Sequence, residues 1–149
     1  MSATPIVTSR KNLPLLLLQT REAMMRRFRR VLKTHGLTDQ QWRVLRAIAD
    51  AGAMTSGQIA QECCMLGPSL TGVLSRMESA GWLERARSTT DHRRVAVMLS
   101  QTGRELVDAV MPDVEEVYQD IEIRLGKERV ARLSTELVAL VVALEDGAE

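Results

Sequence analysis

Arg85, Arg87, His92, Arg93 and Arg94 fall within ten residues, and Asp91 stands two positions before Arg93. Guanidinium groups at this density bind anions through forked hydrogen bonds to phosphate or carboxylate. Asp91 adds no affinity through charge and is read as orienting Arg93 by an ion pair. Upstream, Leu70, Val73, Leu74 and Met77 recur at helical spacing. Pro68, Ser69, Thr71, Gly72, Ser75, Arg76 and Ser79 therefore share the other side of that helix, which is small or hydroxylated apart from Arg76. Small side chains let a helix lie against base edges in a major groove, and hydroxyls serve bases or phosphates. The basic segment beside it would reach the adjacent minor groove, whose negative potential attracts Arg.

The elements that must position these groups are legible in the same stretch. Thr38-Asp39-Gln40-Gln41 and Thr55-Ser56-Gly57-Gln58 both read as capping boxes, Thr at the cap and Gln three residues on. The first opens a helix carrying Trp42, Leu45, Ile48 and Ala49 to Gly52; the second opens a short one ending near Cys63 or Cys64. Gly67 is expected as the next cap, with Pro68 at the first helical position. Two helices of about ten residues bury too little to stand alone, so they must pack on each other. After Gly81 the period changes: Leu83–Arg87 and Val95–Leu99 read as two strands of a hairpin around a charged tip. The fold class expected is mainly α with a small β-hairpin wing, a winged helix-turn-helix.

The flanking segments are helical too. Leu13 to about Lys33 carries apolar residues at helical spacing, Pro14 fits its first turn, and Gly36 stops it. Ser100 caps a long helix that Pro112 is expected to kink, and a break near Gly126-Lys127 precedes a last helix. Charge is uneven. Residues 1–34 hold eight Lys/Arg against one acid, and residues 101–149 hold five against twelve. The basic end faces either DNA phosphates or the chain's own acidic helices, with a solvated face as the plain alternative.

Other chemistries find little support. There are two His, no metal-ligand spacing, no G-x-S-x-G, no phosphate loop and no clustered acid pair, so neither an enzyme, a metal site nor a cofactor is expected. Cys63 and Cys64 are adjacent, which suits buried small hydrophobes better than a dithiol or metal site; a redox switch stands as the alternative. No signal-peptide pattern is present and the run Leu13–Leu18 is far shorter than a membrane span, so a cytoplasmic protein with no membrane partner is expected.

The stretch from Pro68 to Gly103 resembles the MarR (multiple antibiotic resistance regulator) family: Asp91-His92-Arg93 matches its D-x-R wing and Leu99-Ser100-Gln101-Thr102-Gly103 the Leu-Ser/Thr-x-x-Gly that follows. Gln19, Arg21, Glu22, Phe28-Arg29 and the run from Leu37 to Arg46 resemble the branch that regulates aromatic-acid catabolism. The resemblance implies a homodimer, held by helices 13–35 and 101–147, whose two heads (38–100) bind a palindromic double-stranded operator as a repressor. The charge split is then better read as dimer chemistry. It also implies a small aromatic carboxylate effector between dimerisation helices and head. An acid of that kind needs an Arg and apolar walls, for which Arg21, Met25, Arg26, Phe28, His35, Trp42, Arg43 and Arg46 are the candidates. Core packing for Trp42, and ion pairing for Arg21 and Arg43, remain the plain alternatives.

Overall fold

Both capping boxes form as the sequence dictates. In each, the Thr hydroxyl accepts from the backbone amide of the Gln three residues on, whose side chain returns a bond to the Thr amide. The computed structural model describes residues 12–87 and 95–146, with only the backbone of Arg87. In chain order these form α1 (Leu13–Thr34), α2 (Asp39–Ala51), β1 (Ala53–Thr55), α3 (Ser56–Glu62), α4 (Gly67–Ser79), β2 (Leu83–Arg87), β3 (Val95–Leu99), α5 (Gln101–Leu125) and α6 (Lys127–Glu145). They divide into two compact units, one up to Met111 and one from Pro112.

In the first unit the apolar stripes close on one another. Phe28 and Leu32 of α1, Trp42, Val44, Leu45 and Ile48 of α2, and Ile59 of α3 are buried. So are all four members of the α4 stripe, Leu70, Val73, Leu74 and Met77. The sheet has three strands in the order β1-β3-β2, all antiparallel. Met54 pairs with Val97 and Leu83 with Leu99. These four are buried on one face, as the two-residue period of a strand requires.

Two local expectations need correction. The hairpin is not a two-stranded unit, because Ala53–Thr55 adds a third strand against β3. The cap of α4 is Leu66 rather than Gly67, which places Pro68 second in the helix, where a missing amide still costs nothing. As for Pro112, it lies inside α5, which runs from Gln101 to Leu125, and removes one amide donor there.

The junction between sheet and α5 is tightly bonded. The Ser100 amide donates to the Trp82 carbonyl at 3.0 Å and its hydroxyl to the Gly81 carbonyl at 2.5 Å. The same hydroxyl accepts from the Gly103 amide at 3.0 Å, so Ser100 caps α5 as expected. Gly81 supplies the turn after α4 with φ of +81°, a conformation that side chains disfavour. In the second unit Val114 and Ile121 are buried, whereas α6 buries no residue and exposes Leu133, Leu137, Val138, Val141, Val142 and Leu144.

Candidate nucleic-acid interface

The stripe that buries one side of α4 leaves the other free of the core. Pro68, Ser69, Thr71, Ser75, Arg76 and Ser79 are exposed and Gly72 is half-buried. The Thr71 hydroxyl donates back to the Gly67 carbonyl at 3.0 Å, so its proton is committed to the helix. Among the described residues, the hydroxyls of Ser69, Ser75 and Ser79 carry no hydrogen bond. The Arg76 guanidinium lies over Gly72. Arg85 of β2 reaches instead to Glu78 of α4, which ties the base of the hairpin to the helix and neutralises that cation. Arg87 ends β2, and Asp91, His92, Arg93 and Arg94 lie outside the described residues.

The support beneath this face includes a bond the sequence did not disclose. Arg43 of α2 donates to the Cys63 carbonyl at the end of α3, at 2.6 Å, and the Cys63 thiol donates back to the Arg43 carbonyl at 3.6 Å. A cation on the last carbonyls of a helix satisfies groups that have no partner inside it. The two cysteines also part company. Cys63 is buried as expected, at 1% exposure, and burial pushes its thiol up, which favours the unreactive protonated form. Cys64 is exposed, because the chain turns there with φ of +51°. We expect one thiol per native chain to react quickly with a soluble disulfide reagent, and the second only after unfolding. Two fast equivalents in a native titration would contradict this burial.

The eight candidates for an acid-binding site are spread over α1, α2 and the turn between them. Phe28 and Trp42 are core residues; Met25 and His35 are half-buried and Arg26 is exposed. Arg21 pairs with Glu22 at 3.4 Å and with Asp39 at 3.5 Å. Arg29, not among the candidates, is more deeply committed. It grips both oxygens of Glu22, two turns earlier on α1, at 2.8 and 3.1 Å and reaches Asp39 at 3.4 Å. The forked Arg29 bond holds the Glu22 carboxyl below its ordinary value and raises the guanidinium in return. The i, i+7 spacing of Glu22 and Arg29 was the available signal for this pair.

Arg46 is differently placed. One of its terminal nitrogens donates to the Met111 sulfur at 2.9 Å, and the other meets Asp50 at 3.4 Å. A thioether is a weak acceptor, so this half-buried cation holds donors that a stronger acceptor could claim. Trp42 lies one turn earlier on the same face of α2.

Comparison with known proteins identifies the family. The sequence profile of the MarR family matches residues 35–94. The HTH-type transcriptional regulator FarR of Neisseria gonorrhoeae is 40% identical over 131 residues, covering 88% of this chain and 89% of that protein. The homoprotocatechuate degradative operon repressor of Escherichia coli is 38% identical over 133 residues, covering 89% of each. The crystal structure of NadR in complex with 4-hydroxyphenylacetate superposes with a TM-score of 0.80 at 37% identity, covering 94% of this chain and 97% of that one. No helix among the described residues is long and apolar enough to cross a membrane. The chain is a winged helix-turn-helix transcriptional regulator and belongs to the MarR family.

Proposed function

We propose that the chain is a homodimeric repressor that binds an inverted-repeat operator through α4 and the wing, and that a small aromatic carboxylate releases it. The observation that carries the DNA reading is the exposed, hydroxylated face of α4, backed by a stripe that is wholly buried. Pro68, Ser69, Thr71, Gly72, Ser75 and Arg76 would enter the major groove, with Arg87 and residues 91–94 at the neighbouring minor groove. The work is binding, with no catalytic step, and is done where the DNA lies, in the cytoplasm.

Dimerisation would cover the apolar residues that single chains leave exposed, Leu13 and Leu15–Leu18 of α1 and the Leu133–Leu144 face of α6. Two heads on one dimer meet half-sites about one turn apart, roughly 34–36 Å.

For the effector, Arg46, held by the weakly accepting Met111 sulfur and by Asp50, supplies donors that a carboxylate could claim, and Trp42 an aromatic wall on the same helix face. The relatives that repress a homoprotocatechuate operon or hold 4-hydroxyphenylacetate support an aromatic acid. The test is operator binding followed by fluorescence anisotropy while hydroxylated phenylacetates, benzoates, cinnamates and nicotinates are titrated. One of these should release the DNA and raise the melting temperature. The Arg46→Ala variant should keep its operator affinity while the effector's half-maximal concentration rises by about tenfold or more, the worth of a charged hydrogen bond. A panel that neither shifts melting nor releases DNA rejects these compounds, and an unchanged response in Arg46→Ala rejects the assigned acid-binding residue.

A further inference from the structure

We propose that Arg76, seated on Gly72, reads a guanine in each operator half-site and is the principal source of base specificity in α4. This rests on the reading of α4 as the DNA-entering helix. Two features of the helix converge on it. First, Arg76 is its one cation, set among Ser69, Thr71, Ser75 and Ser79. Among the described residues no carboxylate lies within ion-pair distance of Arg76. Its neighbour Arg85, by contrast, is spent on Glu78. Among the described residues, no protein bond has to break before the forked donors of Arg76 meet a ligand.

Second, the position of the guanidinium corrects for where Arg76 sits in the helix. Bases are read mainly by the first turns of a recognition helix, and Arg76 stands near the far end of α4. Side chains on a helix lean toward its N-terminus and cover the preceding turn. Here the two terminal nitrogens lie 3.6 and 4.0 Å from where a Cβ on Gly72 would be. The fork thus lies low and one turn forward, over the backbone at Gly72, where a long side chain would displace it. A flat fork presented at that level matches the O6 and N7 acceptors of guanine, the commonest specific partner of Arg in the major groove. The short serines around it can hydrogen-bond phosphate or bases without holding the helix away from them.

The experiment is selection of bound sequences from a randomised duplex library, by the full-length wild type and by Arg76→Ala and Arg76→Lys. The wild type is expected to enrich one guanine symmetrically in both half-sites. Arg76→Ala should lose that preference by roughly tenfold to a hundredfold, while preferences at other positions persist; Arg76→Lys should retain only part of it. Gly72→Leu, which fills the seat, should lower the same preference with Arg76 still present. Melting curves matching the wild type confirm that each variant is folded. If Arg76→Ala weakens binding equally to all sequences and reduces the salt slope by about one, Arg76 is a phosphate contact and the proposal is overturned. Wild-type protein that enriches no sequence would instead overturn the reading of α4 itself.

Discussion

Replacing Gly103 with alanine should lower the stability of the fold by about 3 kcal/mol, a value at the upper end for overpacking. A Cβ at that position would collide with the Trp82 carbonyl oxygen and stand 3.1 Å from its carbon. The obstacle is backbone, so no rotamer change relieves it. Nor can the carbonyl withdraw freely, because it also accepts from the Ser100 amide at 3.0 Å, while Ser100 holds the Gly81 carbonyl and the Gly103 amide. Either α5 lifts from the end of α4 or the strand junction opens. For a chain of this length the expected drop in melting temperature is roughly 6–12 °C. Gly57→Ala in α3 is the matched control: nothing lies within 4 Å of its Cβ position, so it should melt no lower than wild type. A Gly103→Ala variant as stable as Gly57→Ala would show that the close approach can relax at little cost.

The second large effect concerns assembly. In the double variant Leu137→Glu/Val141→Glu, two carboxylates replace apolar side chains of α6 that are exposed in the single chain. Neither side chain belongs to the buried core of the protomer, and glutamate is a good helix former, so the secondary structure should persist. A dimer interface, however, would have to bury both charges unpaired. Sedimentation should then report a folded monomer. Operator affinity should fall by about a hundredfold or more, because the second head no longer acts at the high effective concentration that a shared body gives. A double variant that remains dimeric at micromolar concentration would refute the use of this α6 face in assembly.

What the sequence disclosed and what it withheld divide along the range of the interactions. Thr38 and Thr55 announced their helices because a capping box closes within four residues. The α4 stripe was equally plain, since its four apolar residues have no other use than burial. Ala53–Thr55 was not legible as a strand: three residues carry no period, and their partner β3 lies more than forty positions away. Cys63 and Cys64 looked alike in sequence, and only the turn that sends one inward and the other outward separates them. The signature Leu99-Ser100-x-x-Gly103 was recognisable as a pattern, but its reason, a carbonyl pressed against the glycine, needed the Trp82 backbone in place. Among the acid-site candidates, the commitment of Arg43 to the Cys63 carbonyl depended on how α2 and α3 cross. That too was beyond the sequence.

The short third strand has a mechanical consequence. α2, which carries Trp42 and Arg46, ends at Ala51, and after Gly52 the chain enters β1 at once. β1 is paired along its whole length to β3, the central strand of the sheet, which pairs on its other side with β2. There is no slack of even two residues in which a rotation of α2 could be absorbed. Any torque on that helix would therefore pass into the stalk of the wing as a tug on its middle strand. The proposed acid site and the reading arm share one axle.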